Sequence, residues 1–249
     1  MQKTSSYSNW SPPDNDLDLP PNRVDVWRVR LDLPLDALER VGASLSAEET
    51  RRAGRFHFTL DRDRFIAAHG CLRGVLARTL HCGPDQLTFS VNQYGKPALR
   101  DHELEFNLTH SGDFALIAIA RGHRLGIDLE RIRPEISSQG IARQYFSKSE
   151  FAELQTLPLE QRGAAFFSCW TRKEAYIKAQ GLGLSLPLES FDVSLTPNEP
   201  AMLRATRPDP EEAARWTLFS LDVDPCYAAA VAVESAALEL RLWDWNIDH

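Results

Sequence analysis

From Val24 to Leu31 apolar and polar side chains alternate around Trp27, the period-two pattern of a strand with one face buried. Ser46 followed by Glu49 is a capping-box pattern and opens a short helix running to Arg55. Phe65, Ile66, Ala68, Leu72, Val75 and Leu76 recur at helical spacing, which predicts a long helix over Asp61 to Leu80, ended by Gly83-Pro84. Alternation returns at Leu87, Phe89 and Val91 before a Tyr94-Gly95 turn. Leu104 to Leu108 and Phe114 to Ala120 read as further strands, and Arg121 to Arg124 as a hairpin turn that returns the chain through Leu125 to Glu130.

The second half follows the same plan. Ser147 and Glu150 make another capping box, and Ala164 to Ala179 is a strong helical segment stopped near Gly181 and Gly183. Strands are predicted at Phe191 to Leu195, Ala201 to Thr206, Trp216 to Leu221 and Tyr227 to Val233. The small-residue strands Phe114 to Ala120 and Tyr227 to Val233 look like counterparts. A helix followed by an antiparallel meander thus occurs twice. This predicts an α+β fold of two similar subdomains related by pseudo-twofold symmetry, each an antiparallel sheet with a long packed helix. The expected division is a flexible leader over residues 1–21, an N-terminal subdomain over 22–124 and a C-terminal subdomain over 125–249, with a cleft between them.

Composition narrows the function classes. The 249 residues suffice for one large domain or two small ones. A net charge of −7 argues against a general nucleic-acid binder, which neutralises many phosphates with Lys and Arg, but leaves room for a local basic pocket. No apolar run approaches the ~20 residues that cross a bilayer, so no membrane partner is expected. Met1 to Pro21 is polar, without the charged and apolar regions of a signal peptide. Cys71, Cys82, Cys169 and Cys226 show no CxxC spacing, which favours a reducing, cytoplasmic setting over a disulfide framework or a zinc site.

Within this frame, Asp128 and Glu130 stand two apart on a predicted strand and therefore share a face, with Gly126 just before them allowing close approach of a ligand or another backbone. A D-x-E pair suits Mg²⁺, which takes a few carboxylate oxygens plus water and phosphate, although most such pairs are solvated surface acids. Trp170, Glu174 and Lys178 are spaced four apart on one side of a helix. Glu174 and Lys178 could be an ordinary exposed pair, but Phe166 and Trp170 draw them towards a boundary. His110 ends a strand at a tight turn, and Gly95-Lys96-Pro97 forms another turn; each alone has an ordinary structural explanation.

Taken in order, Gly95-Lys96-Pro97, Phe106-Asn107-Leu108-Thr109-His110-Ser111, Gly126-Ile127-Asp128-Leu129-Glu130, Phe146-Ser147-Lys148-Ser149-Glu150, Trp170 to Lys178 and Gly181 to Leu188 resemble the motifs of the Sfp-type 4′-phosphopantetheinyl transferases. The resemblance runs from about Ser46 to the C-terminal strands. It implies two α+β subdomains with coenzyme A in the cleft, and transfer of its phosphopantetheine arm to a serine of an acyl or peptidyl carrier protein with release of 3′,5′-ADP. By resemblance Asp128, Glu130 and Glu174 hold Mg²⁺, Lys178 lies near the transferred phosphate and His110 contacts the pyrophosphate. Thr109 stands where the family commonly has Ser. Lys96 and Pro97 match the nucleotide-binding turn, and Glu150 a glutamate proposed to help deprotonate the acceptor. Arg52 and Arg55 keep cations in the region that meets the 3′-phosphate, whereas Glu49 replaces a lysine of some relatives. A monomer is implied, since both sides of the cleft come from one chain. Two other classes fit the bare residue set: a Mg²⁺-dependent phosphohydrolase of a small nucleotide, and a non-catalytic module that binds carrier proteins.

Overall fold

The computed structural model describes residues 7–13, 18–100, 102–133, 138–196, 199–207 and 209–247. In the first half the elements are β1 (Arg23–Arg30), α1 (Leu35–Gly42), α2 (Ala47–Ala53), α3 (Thr59–Leu80), β2 (Phe89–Val91), β3 (Pro97–Leu99), β4 (Leu104–Ser111) and β5 (Phe114–Arg121). The second half begins with β6 (Leu125–Arg131), α4 (Ser138–Tyr145), α5 (Lys148–Thr156) and α6 (Leu159–Gln180). It ends with β7 (Phe191–Val193), β8 (Leu203–Thr206), β9 (Thr217–Ser220), β10 (Tyr227–Val233) and β11 (Glu239–Asp244). Both capping boxes form, Ser46 with Glu49 and Ser147 with Glu150. The fold is α+β, and each half places a 22-residue helix, α3 or α6, against a sheet.

The larger sheet has the order β11-β1-β5-β4 and the next β6-β10-β9, with two-stranded pairs β2-β3 and β7-β8 beside them. Alternation along the strands divides the core. Trp27 and Val29 of β1 and Ala115, Ile117 and Ile119 of β5 pack under Leu72, Val75 and Leu76 of α3. Ala230 and Ala232 of β10 pack with Phe166, Tyr176 and Ile177 of α6. The opposite faces meet: Val24, Val26, Leu116 and Ala118 share one buried cluster with Leu125, Ile127, Leu129 and Val231. The central strands β5 and β10 are covered on both faces, which is why small residues fill them.

Several expectations are corrected. Arg121 to Arg124 does not turn a hairpin: β6 pairs with β10, so the chain leaves one sheet there and enters the other. The C-terminal strand does not stay with the second half, because β11 crosses back to lie parallel to β1 in the first sheet. Of the presumed leader, residues 1–6 and 14–17 lie outside the described residues, but Tyr7 and Ser11 are tied down. Tyr7 bridges β9 through hydrogen bonds with Ser220 and Asp222 (3.0 and 2.9 Å), and Ser11 bonds the backbone of Leu242 and Asp244 (3.1 and 2.8 Å). No helix among the described residues is long and apolar enough to cross a membrane.

The two sheets meet edge to edge along β4 and β6, which run in the same direction. Side chains of β4 reach across the seam: Asn107 Oδ1 accepts from the Ile127 amide (2.9 Å) and Ser111 Oγ from the Arg131 amide (3.0 Å). Over β6 lies α6, and Gly126 sets how close it comes. A Cβ at Gly126 would collide with the backbone of Ala175, Lys178 and Ala179. This contact brings the acids of β6 up to α6, so Gly126→Ala is expected to push the helix away. The expected cost is about 1–3 kcal/mol of stability, measured by denaturant unfolding. Wild-type stability in that variant would mean that the approach is not tight.

Candidate active site

Because Leu125, Ile127 and Leu129 point into the shared core, Gly126, Asp128 and Glu130 face α6. Asp128 is buried. Lys178 Nζ donates to its Oδ1 at 2.6 Å, and also to Thr109 Oγ1 and the Ile127 carbonyl, each at 3.2 Å. Thr109 in turn donates to Asp128 Oδ1 at 3.4 Å. Two residues further along both strands, Ser111 Oγ donates to Glu130 Oε2 at 3.3 Å. Glu174, one helical turn before Lys178, is half-buried beside these acids. Asp128, Glu130, Glu174, Lys178 and Thr109 are therefore brought together at the seam, while His110, next to Thr109 on β4, points to the other face of the strand.

The electrostatics of the three acids are under tension. Burial raises the pKa of Asp128 against the pull of Lys178. Burial and then the charge of Asp128 raise that of Glu130. Glu174 is raised by burial and by Asp128 and Glu130, with Lys178 opposing. Among the described residues no group of three or more His, Cys, Asp and Glu is already gathered as a metal cage. The donor types nevertheless suit a hard divalent cation: the charge of Asp128 is felt at Glu130 and Glu174, and Asp128 Oδ2 is buried with no hydrogen-bond partner among the described residues.

Around this centre the seam widens. A groove of about 260 Å³ is lined by Tyr94, Lys96, Pro97, Asn107, Glu174 and Lys178, among others. Its floor is the Asn92–Lys96 turn, in which Asn92 Oδ1 accepts from the Tyr94 and Lys96 amides (both 2.9 Å). Lys96 Nζ donates to the carbonyls of Leu125 (3.1 Å) and Ala179 (3.2 Å), joining β6 to the end of α6. There the left-handed Gly181 (φ 67°) stops the helix, and its carbonyl accepts from Asn92 Nδ2 at 2.8 Å. Lys96 thus fastens the groove with its ammonium while its stem lines it.

On the other side of the centre is a basic wall. His110 is exposed at the end of β4; desolvation, then the like charges of His69, Lys178, Arg64 and Arg52, lower its pKa. Arg52 lies over the Phe65 ring (5.2 Å to its centroid), and Phe65 stacks on His69 with centroids 4.1 Å apart. Arg64 is committed to Asp32 and Asp113. Arg55, expected beside Arg52, is exposed just beyond α2.

Glu150 stands apart from the seam. It is 1% exposed and pairs at 2.8 Å with Lys173, which is 0% exposed. Its oxygens also accept from the amides of Ser147 (2.9 Å) and Val193 (2.7 Å). Lys173 donates further to the carbonyls of Leu188 and Phe191 (both 2.8 Å). A carboxylate so enclosed joins α5, α6 and β7 and is sealed off from an acceptor's proton. Sequence reasoning missed Lys173, His69, Arg64 and Ser111. Only Ser111 carried a readable signal: Asn107, Thr109 and Ser111 form a polar row at strand spacing.

Two family models match this chain: the 4′-phosphopantetheinyl transferase superfamily over residues 124–232, and the 4′-phosphopantetheinyl transferase N-terminal model over residues 35–121. The 4′-phosphopantetheinyl transferase HetI of a Nostoc species is 39% identical over 240 residues, covering 95% of this chain and 98% of its own. The 4′-phosphopantetheinyl transferase Sfp of Bacillus subtilis is 31% identical over 211 residues, covering 84% and 91%. A putative 4′-phosphopantetheinyl transferase of a Synechocystis species is 34% identical over 198 residues, 78% of each chain.

Proposed function

The chain belongs to the 4′-phosphopantetheinyl transferase superfamily, and on that premise we propose that it transfers the phosphopantetheine arm of coenzyme A to a serine of an apo acyl or peptidyl carrier protein. The observation that carries this is the seam itself. Carboxylates of β6 and α6 converge on the Lys178 ammonium, with an open groove on one side and a basic wall on the other.

In this reading Asp128, Glu130 and Glu174 would hold Mg²⁺; Asp128 Oδ2 is buried with no hydrogen-bond partner among the described residues. The ion would neutralise phosphate charge and orient the pyrophosphate. Lys96 and Pro97 border the nucleotide in the groove. Lys178, held by Asp128 and Thr109, presents a charged donor to an oxygen of the phosphate that is transferred. The carrier serine attacks the phosphorus next to pantetheine; the new ester bond forms as the bond to 3′,5′-ADP breaks. The serine proton must pass to a group at the open seam. Glu150, sealed against Lys173, lacks that access.

Both walls of the seam come from one chain, so a single copy carries the full set and a monomer suffices. The free cysteines fit a reducing compartment such as the cytoplasm. His110→Ala should raise the KM for coenzyme A about tenfold, the value of one lost hydrogen bond to a charged group, with a smaller effect on kcat. Unchanged kinetics would remove His110 from the phosphate site. The function is tested by following 3′,5′-ADP release from coenzyme A and Mg²⁺ with and without apo-carrier. Release only with carrier supports a transferase. Release without it would indicate a phosphohydrolase, and carrier binding without release a non-catalytic module.

A further inference from the structure

At the far end of the seam the turn between β4 and β5 meets the second sheet and is held from two sides. Asn107, Thr109 and Ser111 alternate along β4 and reach towards β6. Asn107 binds backbone, and Thr109 shares Asp128 with Lys178. Ser111 binds both backbone and an acid. Its Oγ accepts from the Arg131 amide at 3.0 Å and donates to Glu130 Oε2 at 3.3 Å. A serine hydroxyl has a single proton. With the Arg131 amide aimed at the oxygen, that proton is left for Glu130, and no other side chain among the described residues hydrogen-bonds this carboxylate. Asp128 differs, being tied by Lys178 as well as by Thr109. Half-buried Glu130 therefore depends on Ser111 for its direction.

The turn that carries Ser111 is latched to β10. Gly112 is left-handed (φ 57°), and a Cβ there would collide with the Tyr227 hydroxyl and press on the Arg131 side chain. Tyr227 Oη accepts from the Asp113 amide at 3.0 Å, and its ring meets Phe114 edge-on with centroids 5.3 Å apart. Tyr227 belongs to the second half and the turn to the first, so this contact keeps Ser111 against β6.

We propose that Ser111 is a positioning residue for Glu130: with the Arg131 amide fixing its hydroxyl and Tyr227 latching its turn, it holds the Glu130 carboxylate on the face of β6 that carries Asp128, and so sets how tightly the acids of the seam take a divalent cation. This rests on the reading above of Asp128, Glu130 and Glu174 as the acids that would hold Mg²⁺. Without the Ser111 proton the Glu130 side chain is free to turn away from the seam, whereas the backbone of β6 stays paired with β10. Loss of the hydroxyl also leaves the Arg131 amide without its acceptor, so a modest fall in Tm accompanies either role and does not decide between them.

Calorimetric titration of Mg²⁺ into the full chain saturated with coenzyme A, with no carrier present, reads cation binding without transfer. Ser111→Ala should weaken Mg²⁺ binding about tenfold, the value of one lost hydrogen bond to a charged group. Ser111→Thr, which keeps the hydroxyl, should bind as the wild type does. Tyr227→Phe should weaken binding about threefold, the value of one neutral hydrogen bond. The double variant Ser111→Ala/Tyr227→Phe should be no weaker than Ser111→Ala alone, because the latch acts through the serine. Unchanged Mg²⁺ affinity in folded Ser111→Ala, or an equal loss in Ser111→Thr, overturns the proposal. If Ser111→Ala does not fold, Tyr227→Phe carries the test, and wild-type affinity there overturns it. A wild type that takes up no Mg²⁺ overturns it with no variant at all. A Mg²⁺ site that depends on Ser111 in a protein that modifies no carrier would sink the transferase reading while leaving this inference standing.

Discussion

Glu174→Gln should lower the transfer rate by at least about 10²–10³-fold, the range for removing one group that stabilises transition-state charge, while the fold stays intact. The two effects have one cause. Glu174 is raised in pKa by burial and by the charges of Asp128 and Glu130. The folded chain therefore holds a carboxylate where carboxylates repel, and a neutral amide of the same shape relieves that repulsion. Its Tm should be unchanged or higher, the common outcome when a strained functional group is neutralised. A stopped assay of holo-carrier formation beside a thermal melt checks both. Full activity would remove Glu174 from the mechanism, and a large fall in Tm would show that its role is structural.

Lys173→Met should be the most destabilising single change, costing about 3–5 kcal/mol as expected when a buried pair loses one partner. Glu150 and Lys173 are both sealed, and each also satisfies backbone groups at the junction of α5, α6 and β7. Without Lys173 the Glu150 charge stays in the core with only amide donors. The double variant Glu150→Gln/Lys173→Met should regain much of the loss, since no unpaired charge remains. It also separates two roles for Glu150. If the residue only joins elements, kcat per folded molecule should stay within a few-fold of wild type. If it accepts the serine proton, the double variant should be inactive although folded. Denaturant melts and kcat on the same samples decide between them.

The contrast between Glu150 and Asp128 shows what a sequence reveals and what it conceals. Alternation alone puts Asp128 and Glu130 on one face, and four-residue spacing puts Glu174 and Lys178 on one side of a helix, so the centre was legible. Both capping boxes were legible because their bonds span three residues. Burial was not. Lys173 looks like one more polar residue in a charged run, yet α6 is enclosed on most sides, so it has no single solvent face to set against a core face. Long-range pairing was equally hidden. β11 lies beside β1 from the far end of the chain, and its alternation states no partner. The same holds for β6, where the short link after β5 suggests a hairpin although the better partner is β10. His69 was concealed differently: it sits beside Glu49, twenty residues earlier, whose capping role hid that contact.

The most direct measurement of the central claim is the intact mass of an apo-carrier protein after incubation with this chain, coenzyme A and Mg²⁺. A companion sample uses a carrier whose acceptor serine is replaced by alanine. The account predicts a gain of one phosphopantetheine on the first, none on the second, and none on either with Glu174→Gln. An unmodified wild-type carrier, with coenzyme A either untouched or hydrolysed, would contradict it.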